Sequence, residues 1–324
     1  MLRTRFLGAG AALPARVVPN AEIEDRLGIE RGWIARTGVQ ERRVIGPDAS
    51  LVDLAERAAR DALAAAALPP GALDAVVVAT TSGPYLFPSL ACLLHARLGL
   101  TTVPAFDVAA ACAGFPYALA VADQGVRAGA YETVLVVGAD CLTTVVDPAD
   151  RGTVALFGDG AGAVVLRGER AAEERGILAC RLRALGASWE ILCVPAGARR
   201  AEDLAAAPGP WMRMNGPEVF RVAVDQLVDL TREVLAAVGL VPADVALFVP
   251  HQANVRIIRM MLQLLGIDEA RAAINLDRYG NTSAASIPIA LAEAIGAGRL
   301  GAGDVVVLNA VGGGITAGAV VARW

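Results

Sequence analysis

The chain contains no lysine, and all 29 of its basic residues are arginine. Because lysine supplies the amine of Schiff-base enzymes and the phosphate-binding group of Walker-type loops, both kinds of chemistry are excluded. Histidine is nearly as scarce, with 2 residues, and no apolar run approaches the ~20 residues that a membrane helix requires. The 5 cysteines are an odd number without metal-ligand spacing, which favours free thiols in a reducing compartment. We therefore expect a cytoplasmic protein with no membrane segment and no metal.

Apolar residues are abundant instead, at 55% of the 324 residues, which is enough to bury a large core. The net charge of −4 gives no reason to expect a nucleic acid as a partner. The opening MLRTRFLGAGAALPA has the arginines, short apolar stretch and small residues of a signal peptide. Its glycines interrupt that stretch, so we predict the first strand of the fold there.

Cys112 lies between a strand-like segment, VPAFDV, and a segment with apolar residues at helical spacing, GFPYALAVADQGV. A thiol at a helix N-terminus meets unpaired N–H groups and the positive end of the helix dipole, which favour the thiolate. The small residues around it would let a substrate approach closely. Cysteine is also among the most buried residue types, so a structural core cysteine is an equal alternative on this evidence alone.

The second half of the chain contributes two more candidates. His251 follows the apolar run DVALFVP at the end of a predicted strand, where open α/β folds place their sites and where an imidazole can carry a proton. The other histidine, His95, lies within a helical pattern and is interpreted as structural. Asn281 precedes an amphipathic helix, where a turn or helix-cap role is the simpler alternative and Thr282 and Ser283 are competing caps.

The two halves of the chain also resemble each other. Both LVDLAERAARDALAAAALPPGALDAVVVATTS and FRVAVDQLVDLTREVLAAVGLVPADVALFVPHQAN have the order helix, Pro or Gly break, Asp, apolar strand. The correspondence continues as far as ETVLVVGAD and DVVVLNAVGGG. We predict two duplicated halves, residues 1–172 with Cys112 and residues 173–324 with His251 and Asn281. In that register Cys112 and Asn281 occupy comparable strand-to-helix junctions, which a pseudo-twofold packing would bring together.

Four motifs, DVAAACAGF, DRGTVALFGDGAGAVVL, VPHQANVRII and DRYGNTSAASIP, resemble β-ketoacyl-acyl-carrier-protein synthase III of the thiolase superfamily. The resemblance runs over nearly the whole chain and implies an α/β, thiolase-like fold in a five-layer αβαβα arrangement. It also implies a decarboxylative Claisen condensation that initiates fatty acid synthesis. Cys112 would take an acyl group from acyl-CoA, while His251 and Asn281 hold malonyl-acyl-carrier protein as it decarboxylates. No cofactor is implied, since the coenzyme A thioester is a substrate.

Residue counts narrow the choice within that superfamily. Thiolases need a second catalytic cysteine near the carboxyl end, whereas all 5 cysteines of this chain precede His251. The elongating synthases use two histidines after the nucleophile, and this chain has one. The Cys-His-Asn arrangement remains. Two neutral hydrogen-bond donors to the thioester oxygen can stabilise the negative charge that develops there only as carbon dioxide leaves.

The resemblance assigns further roles. The Gly313 N–H would complete an oxyanion hole with that of the cysteine. The coenzyme A site would comprise Trp33, Arg36, Arg151, Gly216 and Asn254. The acyl pocket would comprise Phe87, Leu142, Phe157 and Val311, with Phe87 crossing a homodimer interface to close the partner's tunnel. The carrier-protein surface would comprise Arg221, Arg256 and Arg259. Two alternatives stay open, because Trp33 could be an ordinary packing aromatic and Phe87 a core residue of its own subunit.

Several positions depart from the family pattern. Gln263 and Leu264 stand where several members have lysines, which bears on carrier affinity. Val311 stands where many members have phenylalanine, and Pro217 replaces an asparagine. The stretch ALGASWEILCVPAGARR also differs from the usual family sequence. A smaller side chain near the acyl site could admit a larger or branched starter acyl group. Three alternative functions stay open. The protein could prime a polyketide, transfer an acyl group to a hydroxyl or amine, or serve as a catalytically silent partner subunit.

Overall fold

The computed structural model describes residues 2–170, 175–195 and 210–324. The predicted boundary between residues 172 and 173 lies outside the described residues. Within them, none of the helices is long and apolar enough to span a bilayer.

The strands form two main sheets and two short ribbons. Their bounds are β1 Leu2–Ala12, β2 Arg16–Pro19, β3 Glu41–Val44, β4 Ala75–Ala79, β5 Ala105–Val108, β6 Thr133–Cys141, β7 Asp159–Arg170, β8 Gly176–Ala184, β9 Leu192–Cys193, β10 Arg213–Met214, β11 Leu247–Pro250, β12 Val305–Gly312 and β13 Thr316–Arg323. The first sheet has the order β1-β7-β6-β4-β5 and the second β11-β12-β13-β8.

The helices lie between and outside these sheets. Their bounds are α1 Asn20–Leu27, α2 Leu51–Ala65, α3 Leu90–Arg97, α4 Gly114–Arg127, α5 Arg151–Val154, α6 Gly216–Ala236, α7 Val255–Leu265, α8 Leu276–Tyr279 and α9 Ser286–Gly296. Helix α2 begins at a capping box, in which the Ser50 hydroxyl accepts from the Asp53 N–H and the Asp53 carboxylate accepts from the Ser50 N–H.

Five layers result from this arrangement. Helices α2 and α3 cover the outer face of the first sheet, α4 and α9 fill the space between the sheets, and α6 and α7 cover the outer face of the second. Strands β6 and β12 are buried at every position, because both faces of each sheet carry helices. Their sequences, TVLVVGADC and VVVLNAVG, accordingly read as nearly continuous apolar runs rather than as alternating patterns.

The internal duplication predicted from the sequence is visible in the topology. Strand β4 is parallel to β6, which is antiparallel to β7, and β11, β12 and β13 repeat that arrangement. Each half then turns into its central helix through a short 3₁₀ segment, Ala111–Ala113 or Ser283–Ala285. Ala111 and Ser283 occupy equivalent positions and share a positive φ, 46° and 52°. Because residues other than glycine rarely adopt that backbone region, both junctions carry the same local strain.

The opening segment forms the first strand, β1, as predicted. The segment before the cysteine was expected to be a buried strand, but β5 is only partly buried, since it is the edge strand of the first sheet.

Candidate active site

Cys112 is buried, with 7% of its surface exposed, in the Ala111–Ala113 turn that joins β5 to α4. The positive φ of Ala111 turns the chain sharply at this point, so that the thiol enters the interior just ahead of the helix. The expected position at a helix N-terminus is therefore present.

The ionisation of that thiol differs from the expectation. The pKa of Cys112 is raised to about 12, mainly by burial; a hydrogen bond from Ser283 opposes this rise, and the nearby Asp140 carboxylate adds to it. Burial disfavours the thiolate, because a charged sulfur loses more hydration than the neutral thiol. The surroundings of Cys112 in the free protein thus favour the neutral thiol over the thiolate.

His251 directly follows β11, and its backbone N–H continues the strand ladder by donating to the Asn309 carbonyl at 2.8 Å. Its Nδ1 lies 2.7 Å from the Ser286 hydroxyl at the start of α9, and that hydroxyl also accepts from the Gln252 N–H at 3.3 Å. Burial lowers the pKa of His251 from 6.5 to about 3, so the ring is neutral at physiological pH.

Asn281 is held at both ends of its backbone. Its N–H donates to the Leu156 carbonyl at 2.8 Å, and its carbonyl accepts from the Gly158 N–H at 3.0 Å. Its side-chain Oδ1 accepts from the Ser283 N–H at 2.8 Å, which fixes the orientation of the amide. In the described part of the chain, no hydrogen bond involves the opposite amide edge, Nδ2, so its donors remain free.

One cavity of about 1030 Å³ brings the predicted residues together. Cys112, His251 and Asn281 all line it, although they come from three separate segments of the chain. The other predicted site residues on its wall are Leu142, Phe157, Gly216, Asn254, Arg256, Val311 and Gly313. The structure therefore joins the candidate nucleophile, both candidate donors and most of the predicted acyl pocket around one space.

The end of β12 crosses directly over the backbone of Cys112. A Cβ atom on Gly312 would lie 2.5 Å from the Cys112 nitrogen and 2.8 Å from the Ala113 nitrogen, closer than real Cβ contacts come. At the next position, a Cβ on Gly313 would lie 2.8 Å from the Leu192 carbonyl oxygen. Gly312 thus brings the backbone of this loop against the turn that carries the thiol, and Gly313 brings it against β9.

Phe87 lies outside this cavity and has 82% of its surface exposed. Its neighbours Tyr85 and Leu86 are also exposed. The alternative that Phe87 is a core residue of its own subunit is therefore wrong.

The predicted coenzyme A residues lie in three places, of which the first is the wall of the main cavity, lined by Gly216 and Asn254. The Arg151 guanidinium lies over the Trp33 ring at 5.6 Å from its centroid, while the remainder of Trp33 packs against a small apolar cluster. Arg36 lines a second cavity of about 640 Å³, together with Arg256 and Arg259. Since Arg256 also lines the main cavity, it marks the point where the two spaces adjoin.

Two of the three predicted carrier-protein arginines already have acidic partners. Arg259 makes a two-pronged contact with Glu269, at 2.8 and 3.0 Å, and Arg221 lies 3.7 Å from Asp225. Arg256 instead lies over the ring of Phe220, 5.5 Å from its centroid. Of the three predicted docking arginines, Arg256 thus has no carboxylate partner among the described residues.

Sequence reasoning missed three residues that shape the site. Asp140, at the end of β6, is fully buried and interacts with the turn that follows Asn281. Ser286 orients the imidazole, and Gly312 borders the thiol. Aligning the two halves residue by residue offered a signal, because it pairs Asp140 with Gly312 and Ser286 with Gly114.

Because the other four cysteines have no metal-ligand spacing, their sequence context predicts packing residues. All five cysteines are free, and Cys141 is buried as expected. Cys92 is exposed, however, and Cys193 lines the main cavity, so neither is a core residue.

The chain is similar to known proteins over its whole length. Residues 106–186 match the family model of 3-oxoacyl-[acyl-carrier-protein (ACP)] synthase III, and residues 235–324 match that of its C-terminal part. A β-ketoacyl-[acyl-carrier-protein] synthase III of Rhodospirillum centenum is 45% identical, with 100% of this chain and 99% of that protein covered.

Two solved structures extend the likeness to three dimensions. The synthase III of Thermus thermophilus has a TM-score of 0.92 at 44% identity, with 99% of each chain covered. A priming β-ketosynthase from the R1128 polyketide biosynthetic pathway has a TM-score of 0.91 at 34% identity, with 99% of this chain and 96% of that chain covered.

Paired sheets around a shared helical layer, with the cavity at their junction, define a thiolase-fold acyltransferase. Within that class, the chain belongs to the β-ketoacyl-[acyl-carrier-protein] synthase III family.

Proposed function

We propose that the chain condenses an acyl group from acyl-CoA with malonyl-acyl-carrier protein through an acyl-enzyme on Cys112, and so initiates fatty acid synthesis. The observation that carries this proposal is the single cavity lined by Cys112, His251 and Asn281. A buried thiol supplies the nucleophile, and two uncharged donors face the same space.

In the first half-reaction, the Cys112 sulfur attacks the thioester carbon and coenzyme A leaves. The N–H groups of Cys112 and Gly313 receive the oxyanion. The internal duplication supports this assignment. The Asp140 carboxylate accepts a hydrogen bond from the Ala284 N–H at 3.3 Å. When the two halves are aligned, Asp140 is equivalent to Gly312, and Ala284 is equivalent to Cys112. Since Gly312 has no side chain to occupy the corresponding space, a substrate oxygen can take the place of the carboxylate.

In the second half-reaction, His251 and Asn281 donate hydrogen bonds to the malonyl thioester oxygen as carbon dioxide leaves. The Ser286 hydroxyl accepts from the Gln252 N–H, so its own proton is available to the Nδ1 of His251. That tautomer puts the ring proton on Nε2 as a donor. Asn281 contributes Nδ2, since its Oδ1 is occupied by the Ser283 N–H. Both donors stabilise charge that is absent from the ground state.

The acyl chain occupies the apolar part of the cavity, between Leu142, Phe157 and Val311. A homodimer completes this pocket, with Phe87 of each subunit reaching its partner. The exposure of Tyr85, Leu86 and Phe87, at 62%, 88% and 82%, supports that assignment, because contiguous exposed apolar residues mark interaction surfaces.

Coenzyme A lies across Trp33, Arg36, Arg151, Gly216 and Asn254, with its adenine between the indole and a guanidinium. The carrier protein, an acidic partner, docks at Arg256 with Arg221 and Arg259 nearby. The internal pairs of Arg221 and Arg259 reduce the cationic charge offered there, so we infer weak electrostatic docking. A cytoplasmic location suits the five free thiols.

The alternative functions are not favoured. The synthases III of Rhodospirillum centenum and Thermus thermophilus are 44–45% identical to the chain and the polyketide priming enzyme is 34% identical, which supports the fatty-acid role. A silent subunit would not require a free amide donor, a neutral imidazole and a thiol on one cavity wall.

The test separates the two half-reactions. We expect Cys112→Ala to abolish acylation of the enzyme by acyl-CoA, measured by intact-protein mass spectrometry, while some decarboxylation of malonyl-carrier protein persists. Asn281→Ala should lose decarboxylation yet still be acylated, and His251→Ala should behave likewise with slower acylation. Normal decarboxylation by Asn281→Ala, or acylation of Cys112→Ala, would contradict the assignment.

A further inference from the structure

Gln252 directly follows His251 and is completely buried. Its side-chain Nε2 donates to the Pro250 carbonyl at 2.7 Å and to the Ala273 carbonyl at 3.0 Å. Its Oε1 accepts from the Asn275 N–H at 3.0 Å. A buried amide is tolerated only when its donors and acceptor are paired, and this one is paired entirely with backbone groups.

These contacts extend a backbone pairing beyond the end of β11. Phe248 in that strand pairs in parallel with Ala272, and its carbonyl accepts from the Ala273 N–H at 2.7 Å. In a parallel pair, the hydrogen bonds of one residue go to two positions on the neighbouring segment, one on each side of its partner. The Gln252 amide bonds Ala273 and Asn275 in the same way. It therefore takes the place of a backbone peptide group where the strand has ended.

The segment held in this way leads to the second candidate donor, Asn281. Asn275 precedes helix α8, and its side-chain Nδ2 donates to the Glu293 carboxylate at 2.9 Å. Tyr279, the last residue of that helix, donates its hydroxyl to the same carboxylate at 2.6 Å. Asn281 lies two residues further along the chain. The amide of Gln252 thus joins the segments that carry the two candidate donors.

The spacing of these segments matters because two donors stabilise one thioester oxygen only if their N–H groups converge on it. A shift of about 1 Å costs about 10²-fold in rate. Ser286 orients the imidazole of His251, and the backbone of Asn281 is bonded to the first half of the chain. Gln252 adds the link between the backbone of one donor segment and the backbone of the other.

We propose that Gln252 is a positioning residue whose side-chain amide fixes the spacing of His251 and Asn281 for decarboxylation. The inference rests on the proposed function and deepens it, because it names a group that serves one half-reaction only. Among the described residues, Cys112 Sγ hydrogen-bonds Ser283, and no hydrogen bond joins it to Gln252. Loss of the amide should therefore slow decarboxylation and leave acylation intact.

The decisive variant is Gln252→Glu, which keeps the size of the side chain and replaces its NH₂ group by an oxygen. As a neutral carboxyl group it can still accept from the Asn275 N–H and donate to one carbonyl. As a carboxylate it has no proton to donate, and it faces the carbonyl oxygens of Pro250 and Ala273. Burial raises the pKa of a carboxyl group, so we expect this change within about pH 6–9. Gln252→Met removes all three hydrogen bonds at every pH.

The titratable groups around Gln252 give the unmodified protein a flat profile over that range. Burial lowers the pKa of His251 to about 3. Burial acts to raise the pKa of Glu293, but hydrogen bonds from Arg278 and Tyr279 outweigh it and leave the pKa lowered. The pKa of Tyr279 is raised to about 12, mainly by burial, and that of Arg278 is also raised. All of these groups therefore keep one protonation state while the introduced carboxyl group titrates.

We would measure carbon dioxide release from malonyl-carrier protein against pH, and acylation of Cys112 by acyl-CoA by intact-protein mass spectrometry. In Gln252→Met, the kcat of decarboxylation should fall on the order of 10²-fold at every pH, with little change in KM. In Gln252→Glu, kcat should fall roughly tenfold per pH unit above the pKa of the new carboxyl group, towards the level of Gln252→Met. Acylation should stay within about threefold of the unmodified protein in both variants.

Two further measurements control for a general loss of structure. Thr133→Val removes a buried hydroxyl that accepts from Arg167 Nε at 3.2 Å, at the opposite end of β6 from Cys141. It should keep both half-reactions. Hydrogen–deuterium exchange needs no substrate, and in Gln252→Met the Asn275 N–H should exchange on the order of tenfold faster while the peptide around Cys112 is unchanged.

Each outcome decides the proposal. Normal decarboxylation by Gln252→Met overturns it, as does a Gln252→Glu rate that does not depend on pH. Equal losses of acylation and decarboxylation also overturn it, because the amide would then support the fold as a whole. If Gln252→Met does not fold, the pH profile of Gln252→Glu decides alone. If the unmodified protein releases no carbon dioxide, the proposed function fails, and exchange at Asn275 then decides the link: faster exchange upholds it and unchanged exchange overturns it.

Discussion

Substitution of Gly312 by alanine tests the oxyanion hole most directly. The added Cβ would lie 2.5 Å from the Cys112 nitrogen, 2.8 Å from the Ala113 nitrogen and 3.0 Å from the Ala110 carbonyl oxygen. All three are backbone atoms, so no side chain can rotate away. Ordinary contact begins near 3.4 Å, so the turn or the strand must move by about 1 Å.

That displacement sets the expected magnitude. Misplacing a reacting group by ~1 Å costs about 10²-fold, and losing one oxyanion donor costs on the order of 10²–10³-fold. We expect Gly312→Ala to slow single-turnover acylation of Cys112 by about 10²–10³-fold and to lower the free energy of unfolding by about 1–3 kcal/mol. Decarboxylation of malonyl-carrier protein should persist, because His251 and Asn281 lie on other segments.

The matched control is Gly71→Ala, where an added Cβ meets nothing within 4 Å. It should acylate at the normal rate and unfold normally. If Gly312→Ala folds and acylates within about threefold of the unmodified protein, the thioester oxygen does not bind at the Cys112 N–H, and the argument from internal duplication is wrong.

Three further predictions concern other parts of the site. Ser286→Ala should lower the kcat of decarboxylation about tenfold with little change in KM, since the imidazole loses the partner that fixes its Nε2 proton; an unchanged kcat would show that the tautomer needs no such help. Phe87→Ala should accept longer primers and Val311→Phe only shorter ones in a screen of acyl-CoA chain lengths, with a homodimer in analytical ultracentrifugation; a monomer at micromolar concentration, or unchanged primer profiles in both variants, would refute the shared pocket. Stability should fall as the pH drops below about 6.5, because the unfolded chain protonates His251 while the folded ring, with its pKa near 3, stays neutral. In chemical denaturation, the free energy of unfolding should fall with decreasing pH more steeply for the unmodified protein than for His251→Gln, by up to about 1.4 kcal/mol per pH unit. Equal pH dependence in the two proteins would mean that the ring is not buried in its neutral form.

The sequence could predict the three candidate residues that line the main cavity, because strand ends and helix starts can be read from the chain. Cys112, His251 and Asn281 each follow an apolar strand pattern or precede a helical one, and the duplication brings those junctions together. The five-layer fold followed from the same reasoning combined with the family resemblance. These features depend on local pattern and on order along the chain.

Other features depend on burial and on contacts between distant segments. The pKa of Cys112 is set by desolvation, which no pattern around DVAAACAGF reveals. Asp140 reads as the last residue of a strand in VVGAD, and only the packing of β6 against the Ser283–Ala285 turn makes it a buried neighbour of the thiol. The pairing of Arg259 with Glu269 likewise depends on how α7 meets the following turn.

The duplicated scaffold explains how one cavity can serve two reactions. Each half offers the same strained turn before a central helix, and the differences between equivalent positions determine the chemistry. The first turn presents Cys112 where the second has Ala284, and the loop above it has Gly312 where the first half has Asp140. That difference leaves room for a substrate oxygen at one turn and puts a carboxylate at the other. Ser286, equivalent to Gly114, then gives the imidazole a partner on the second helix only. Acylation and decarboxylation can therefore be tuned independently, because each depends on residues that the equivalent turn in the other half does not have.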